Sequence, residues 1–103
     1  MWWPGKIPAA KIIYEPLSAM DIYPTLADIV GVKVPTDRVI DGKSFKNILL
    51  NPLVKEKIHE AIFFWREGEI YAARYGPYKA HFITRTGYKV MDRGKKHNPP
   101  LIY

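Results

Sequence analysis

The fold is decided by residues 61–85, which read AIFFWREGEIYAARYGPYKAHFITR. Three runs in this stretch are rich in aromatic and β-branched residues, as strands are: residues 61–66, 70–75 and 78–85. The links between them, Glu67-Gly68-Glu69 and Gly76-Pro77, are short and contain glycine. Links of this length favour antiparallel hairpins. The stretch therefore predicts an antiparallel meander, to which residues 101–103 add a fourth strand after a basic loop over residues 86–100.

The main helix is predicted upstream of the meander, over residues 18–31. Ser18 and Asp21 have the spacing of a capping box, in which short oxygen side chains accept from free amides. We expect a short 3₁₀ turn that leads into the helix at residue 23 or 24, and Gly31 is expected to end it. Apolar residues recur at helical spacing and form one face of this helix: Ile22, Leu26, Ile29 and Val30.

A second, shorter helix is predicted after Ser44, which can cap its first turn. Phe45, Ile48 and Leu49 then face inward, and Asn51-Pro52 ends the helix. The segment from Leu53 to Glu60 is charged and is expected to be exposed.

The first residues of the chain suggest strands. Trp2 and Trp3 fit the end of a buried strand that the Pro4-Gly5 turn closes. Residues 11–14 are a further, short strand candidate. The predicted order is strand, helix, short helix and sheet, so the predicted fold class is α+β.

Composition excludes several kinds of site. The chain has 103 residues, of which 48% are hydrophobic, so it can bury a core as one small domain or part of a larger one. It contains no cysteine, which excludes disulfides, thiolate metal sites and cysteine nucleophiles. The longest apolar run, residues 61–65, is far shorter than the ~20 residues of a bilayer-spanning helix. The first residues do not have the pattern of a signal peptide.

The charge is unevenly placed along the chain. The formal net charge is +6, and residues 76–103 hold most of this excess, with Asp92 as their only acidic residue. A basic segment with aromatic residues interleaved could bind single-stranded nucleic acid. A solvated strand edge followed by a loop explains the same pattern, and we favour it.

No residues form a recognisable catalytic or metal-binding motif. His59 lies in a charged stretch and is expected at the surface, whereas His97 is expected in a loop. His81 is either a structural strand histidine or a residue at the rim of a cleft. The chain has no H-E-x-x-H, and neither Ser18 nor Ser44 lies in a G-x-S-x-G context. The residues alone therefore predict no catalytic and no metal-ligating residue.

Several stretches resemble the arylsulfatase family, in the order in which that family has them. Residues 1–9, MWWPGKIPA, resemble the W-P-G-x-I-x-A-G segment that closes the family's large sheet. Residues 18–26, SAMDIYPTL, are similar to the S-x-x-D-h-h-P-T-h helix, where h is apolar. Residues 37–42 resemble D-R-x-I-D-G. Residues 78–82, YKAHF, are similar to the K-Y-K-A-H-F strand of arylsulfatase A and N-acetylgalactosamine-6-sulfatase, and residues 99–103 resemble P-P-L-L-Y.

The resemblance implies an α/β sulfatase fold related to alkaline phosphatase, of which this chain is a C-terminal fragment. Residues 1–60 are then the end of the catalytic domain, and residues 61–103 are a small, truncated C-terminal antiparallel sheet. The apolar helix face and Trp2-Trp3 are expected to pack against the family's large sheet.

The resemblance also implies hydrolysis of sulfate esters by a formylglycine, made from cysteine or serine and assisted by calcium. The nucleophile motif C/S-x-P-x-R and the Asp-Asp and Asp-Asn pairs of the calcium site are absent from this sequence. We therefore expect the chain to be inactive alone and to bind neither group with its own residues.

By the same resemblance, Lys79, His81 and His97, the last in the loop over residues 86–97, are candidates for the rim of a substrate pocket. Packing between domains or plain surface is the other interpretation of each. The expected partners are a sulfated small molecule, lipid or glycan and the catalytic part of the fold, in a lysosomal or secreted enzyme without a membrane span. The alternative function is a small basic nucleic-acid-binding or interaction domain without catalysis.

Overall fold

The computed structural model describes residues 1–51, 53–87 and 94–103. The chain divides into two compact units, Met1–His59 and Glu60–Tyr103. The helices lie in the first, which we call the helical unit, and the strands lie in the second, the strand unit. The fold is therefore an α+β piece, as the sequence predicts.

The main helix of the helical unit begins with the predicted capping box. A 3₁₀ turn, Ala19–Asp21, leads into α1, Ile22–Val30. Ser18 Oγ accepts from the amide of Met20 at 3.4 Å, and Asp21 Oδ2 accepts from the amide of Ser18 at 2.7 Å. The helix ends at Gly31, whose φ of 75° is the left-handed conformation that glycine adopts easily. The predicted start and end are confirmed, with α1 beginning one residue earlier than expected.

Helix α2, Lys46–Leu50, supplies two of the four residues of the buried cluster in the helical unit, Ile48 and Leu49. Phe45, Ile48 and Leu49 are buried as predicted, and Ile58 joins them. Ile7, Ile13, Leu17, Ile29, Leu50 and Val54 pack around this cluster. The N-cap residue of α2 is Phe45, one residue later than predicted; Ser44 Oγ, just before it, accepts from the amide of Lys46 at 3.3 Å.

Polar contacts join α1 to the start of α2. Thr25 Oγ1, which is fully buried, donates to the carbonyl of Asp21 at 2.6 Å and accepts from the amide of Phe45 at 3.1 Å. Asp28 Oδ2 accepts from Ser44 Oγ at 2.7 Å, and its Oδ1 accepts from Lys46 Nζ at 3.0 Å. These bonds turn Thr25 inward and fix the rotation of α1 about its axis.

The predicted face of α1 is apolar but largely uncovered within the chain. Ile22, Leu26 and Val30 are 46%, 48% and 70% exposed, whereas Ile29 reaches the core cluster. The residues that α1 buries are Pro24, Thr25 and Ala27.

The two early strands predicted from the sequence are wrong. Residues 1–3 and 11–14 are not strands; instead, the carbonyl of Trp3 accepts from the amides of Lys6 and Ile7 in a turn. Lys11 Nζ donates to the carbonyls of Ile48 and Asn51 at the end of α2. A strand needs a neighbour that pairs with its backbone, and in the described part of the chain all ladder pairs lie in the strand unit.

The strand unit is a four-stranded antiparallel sheet in sequential order. Its strands are β1 (Ala61–Arg66), β2 (Glu69–Tyr75), β3 (Tyr78–Thr84) and β4 (Lys95–Ile102). The three-stranded meander and its two hairpins are confirmed, with boundaries shifted by one residue at two ends.

The fourth strand is longer than predicted. It begins at Lys95, so the expected loop over residues 86–100 is wrong for its last six residues, and residues 88–93 lie outside the described residues. Lys95 and Lys96 pair with Thr84 and Ile83, whereas Leu101 pairs with His81. The register is irregular between these pairs, where β4 contains two prolines that lack the amide hydrogen a regular ladder needs.

No helix in the described ranges combines the length and the apolar character that crossing a bilayer requires.

Gly42 lies against the backbone at the start of the main helix. A Cβ at this position would overlap the carbonyl group of Met20 and lie 3.1 Å from the amide nitrogen of Asp21. Because both neighbours are backbone atoms, we expect Gly42→Ala to lower the free energy of unfolding by about 1–3 kcal/mol.

Urea unfolding followed by circular dichroism measures this effect. The matched control is Gly87→Ala, since a Cβ at Gly87 would meet no atom within 4 Å. The control is expected to stay within about 0.5 kcal/mol of the unmodified chain. Equal unfolding midpoints for the two variants would contradict the close approach of Gly42.

Candidate functional site

Strand β3 carries two of the three candidate rim residues. Lys79 and His81 are two positions apart, so both side chains stand on the same face of the sheet. Lys79 pairs with Arg74 of β2, and His81 lies between Ala72 and Leu101.

Aromatic rings on this face hold both side chains. The ammonium of Lys79 lies 4.5 Å from the centre of the Phe64 ring, a cation–π contact. The ring of His81 meets that of Tyr103 edge to face, with centres 5.5 Å apart. Tyr103 is fixed by a pair of backbone bonds with Lys79, of 2.9 and 3.0 Å. The face therefore presents a positioned cation beside an imidazole.

His97 lies apart from the other two candidates. Its Nε2 shares a 2.8 Å hydrogen bond with Oγ1 of Thr84. Thr84 stands on the opposite face of β3 from Lys79 and His81, because side chains alternate along a strand. The structure thus places Lys79 and His81 together and His97 on the other side. Of the expected loop over residues 86–97, residues 88–93 are outside the described residues.

Two of the cations that the structure describes in the basic segment, Lys96 and Arg85, are engaged by neighbouring side chains. Lys96 Nζ is paired with Glu69 Oε1 at 2.6 Å. The side chain of Arg85 is only 9% exposed, and its guanidinium lies 5.6 Å from the centre of the Tyr71 ring. These contacts favour the solvated strand edge over a surface that binds nucleic acid.

The most heavily hydrogen-bonded carboxylate is that of Asp21, in the helical unit. It is completely buried and accepts from the amide of Ser18, from the amide of Lys43 at 2.9 Å and from His59 Nε2 at 2.8 Å. The sequence predicts Asp21 as a helix cap, which is confirmed. The expectation that His59 is a surface residue is wrong, because its side chain is only 10% exposed.

The contact between Asp21 and His59 joins residues 38 positions apart, so no local pattern could reveal it. The nearest sequence signal is Asp41-Gly42, whose glycine allows the amide of Lys43 to reach the carboxylate.

An aspartate bonded to a histidine can orient a general base for a nearby nucleophile. The neighbouring hydroxyl of Thr25 already donates to the carbonyl of Asp21 and accepts from the amide of Phe45. We therefore interpret the pair as a structural tie. Burial acts to raise the pKa of Asp21, but the hydrogen bonds from Ser18, Lys43 and His59 outweigh it and hold the pKa below its usual value of 3.8.

Within residues 1–51, 53–87 and 94–103, no three histidine or acidic side chains are close enough together to hold a metal ion.

Comparison with known proteins identifies the region to which this sheet belongs. Residues 57–103 match the family described as the C-terminal region of aryl-sulfatase, which includes all four strands. Residues 57–103 belong to this C-terminal sulfatase region.

Curated relatives extend the similarity of this sulfatase region into the helical unit. An arylsulfatase of Hemicentrotus pulcherrimus is 41% identical over 85 residues, which cover 82% of this chain and 15% of the relative. N-acetylgalactosamine-6-sulfatase of Sus scrofa is 39% identical over 85 residues, covering 82% and 16%. Human arylsulfatase D is 39% identical over 88 residues, covering 80% and 15%. The alignments thus span about one sixth of each relative's length.

The tie at Asp21 gives the chain a defined acid sensitivity. A carboxylate whose pKa is lowered by folding stabilises the fold above its unfolded pKa, and this contribution is lost as the pH falls through the folded value. We therefore expect the free energy of unfolding to fall as the pH is lowered below 3.8. Asp21→Asn removes the contribution of this carboxylate to the acid sensitivity and costs about 1–3 kcal/mol at neutral pH, because a buried donor loses its acceptor.

Chemical unfolding between pH 3 and pH 7 measures both effects. The matched control is Asp37→Asn, since Asp37 is exposed and pairs with its neighbour Arg38. Exposed pairs contribute little to stability, because solvent screens their attraction. An Asp21→Asn profile parallel to that of the unmodified chain would show that the carboxylate does not carry the acid sensitivity.

Proposed function

We propose that this chain supplies the C-terminal part of an enzyme that hydrolyses sulfate esters and that it has no hydrolytic activity alone. The observation that carries the proposal is the match of residues 57–103 to the C-terminal region of aryl-sulfatase. The relatives arylsulfatase and N-acetylgalactosamine-6-sulfatase point to sulfate esters as the substrate class. In this proposal, residues 1–60 end the catalytic domain and residues 61–103 form the small C-terminal sheet.

The residues of this chain do not fit the calcium and formylglycine that the family resemblance implies. The chain has no cysteine and no C/S-x-P-x-R motif from which formylglycine could be made. The described residues contain no cluster of metal-ligating side chains. We infer that the larger remaining part of a sulfatase supplies both groups and therefore the chemical step.

The apolar face of α1 is the surface that we propose contacts this remaining part. Ile22, Leu26 and Val30 are 46%, 48% and 70% exposed on one side of a short helix. Burying a fully exposed side chain of this kind contributes about 1.5–3 kcal/mol, and covering the part of these three that is still exposed contributes a corresponding fraction of that. We propose the remaining part of a sulfatase as the partner of this face, because the chain spans only 15–16% of the length of its curated relatives.

Lys79 and His81 are the residues that we propose border the substrate pocket of the assembled enzyme. A positioned ammonium attracts the anionic groups of a sulfated small molecule, lipid or glycan. His97 does not share this face, so it is not part of the proposed rim. The lysosomal or secreted location of sulfatases is proposed for this one by the same family relationship.

Activity of the separate parts tests the proposal. The isolated chain is expected to hydrolyse an aryl sulfate no faster than a blank. Added to the Hemicentrotus pulcherrimus arylsulfatase without its matching 85 residues, the chain is expected to restore hydrolysis. Leu26→Lys prevents this restoration, because burying an uncompensated ammonium in an apolar contact costs several kcal/mol.

The matched control is Val39→Lys, since Val39 is 90% exposed in a loop outside the helix face. This variant is expected to restore hydrolysis as well as the unmodified chain does. Calcium-dependent turnover by the chain alone would contradict the proposed division of labour. Equal restoration by the Leu26 and Val39 variants would contradict the contact surface.

The proposed place of Lys79 at the border of the substrate pocket is tested in the enzyme that is restored by adding the chain to the shortened arylsulfatase. Lys79→Ala is expected to raise KM for a sulfated substrate about threefold to tenfold at low salt with little change in kcat, because it removes attraction rather than chemistry. Lys79→Arg keeps the charge and retains most of the affinity. The control is Lys33→Ala, an exposed lysine of the helical unit. Unchanged KM in Lys79→Ala would contradict the proposed rim.

A further inference from the structure

The strand unit contains an open hollow of about 580 Å³ beside the β1–β2 turn. Its volume lies within the range of about 300–1,000 Å³ that small-molecule sites occupy. Gly68 stands at its mouth and adds no side chain to the opening; an added Cβ there would meet nothing within 4 Å.

Two aromatic rings form the apolar wall of the hollow. Trp65 lies near the end of β1, an edge strand, and is 62% exposed. Phe82 of β3 is 36% exposed and lines the same hollow. A tryptophan this exposed leaves a large apolar surface in contact with water. A ligand in the hollow can pack against this surface of Trp65.

Polar and charged side chains line another part of the hollow's wall. Glu69 and Lys96 form an ion pair of 2.6 Å, and the imidazole of His97 is fixed by its 2.8 Å bond to Thr84. Asn98 adds an exposed amide that can both donate and accept. The wall therefore offers planar hydrogen-bonding groups without a net positive charge.

We propose that this hollow binds a pyranose ring of a neutral saccharide. One side of a pyranose is rich in C–H bonds and packs on an indole ring, while its hydroxyls both donate and accept. The hollow meets both requirements, since Trp65, Phe82, Glu69 and Asn98 all line it. A nucleic acid would bring phosphates to a wall that carries a carboxylate, and an acyl chain would leave the ion pair facing hydrocarbon. This proposal rests on binding geometry and does not depend on sulfate-ester hydrolysis.

The full 103-residue chain is used for the test, with methyl β-D-galactopyranoside as the probe. Its axial 4-hydroxyl leaves three ring hydrogens together on one face, which suits stacking on Trp65. Galactitol is the comparison ligand, because it has similar hydroxyls but no rigid ring face. Saturation-transfer NMR detects which ring protons contact the protein, and titration of chemical shifts gives the dissociation constant.

We expect the galactoside to bind, with the strongest saturation transfer on the ring face, and galactitol not to bind. Trp65→Ala is expected to weaken binding about tenfold, and Trp65→Phe to retain part of the affinity. The matched control is Trp2→Ala, since Trp2 is 88% exposed in the helical unit. Circular dichroism of each variant confirms that the sheet remains folded.

Three results would overturn the saccharide proposal. The first is the absence of galactoside binding to the folded chain. The second is binding that galactitol equals or that Trp65→Ala leaves unchanged. The third is an oligothymidylate or a second copy of the chain that shifts the Trp65 resonances while the galactoside does not.

Discussion

The helical unit depends on one buried carboxylate. Asp21 accepts hydrogen bonds from Ser18 at the helix start, from Lys43 in the following loop and from His59 at the end of the unit. A buried charge that loses its partners costs several kcal/mol. Conformations in which any of the three segments moves away are therefore disfavoured together. Gly42 is part of the same constraint, because the amide of Lys43 reaches the carboxylate only if the chain passes directly against the backbone of Met20.

Polar contacts rather than apolar burial set the orientation of α1. Thr25 is fully buried between the carbonyl of Asp21 and the amide of Phe45, so its side of the helix faces inward. The consequence is that Leu26 and Val30 face outward, although they are more apolar than Thr25. Because these apolar side chains of α1 remain exposed within the chain, we expect a further apolar surface to pack against them. The one-sixth span of the chain in its relatives agrees with that expectation.

Local signals in the sequence predict the parts of this fold that local interactions determine. The capping box depends on Ser18 and Asp21, three residues apart, and the hairpins depend on glycine-containing links. Such local signals do not predict contacts between residues that are far apart in the sequence. His59 reads as a surface residue because its neighbours are charged, and only the folded chain brings it to Asp21. Residues 11–14 have the composition of a strand, but composition does not say whether a neighbouring strand is available for pairing.

Among the candidate rim residues, too, local patterns predict some positions and miss others. Lys79 and His81 share a face because alternation along β3 requires it, and this could be read from the sequence. The position of His97 depends on the irregular register of β4, which no short pattern specifies. That register brings His97 to Thr84, on the side where Trp65 and Phe82 line the hollow. Lys79 and His81 therefore stand on one face of the sheet, whereas Phe82 and His97, which line the hollow, stand on the other. Because the period of a strand is two, substitutions at one face leave the chemistry of the other face in place, so anion attraction and saccharide binding can be separated residue by residue.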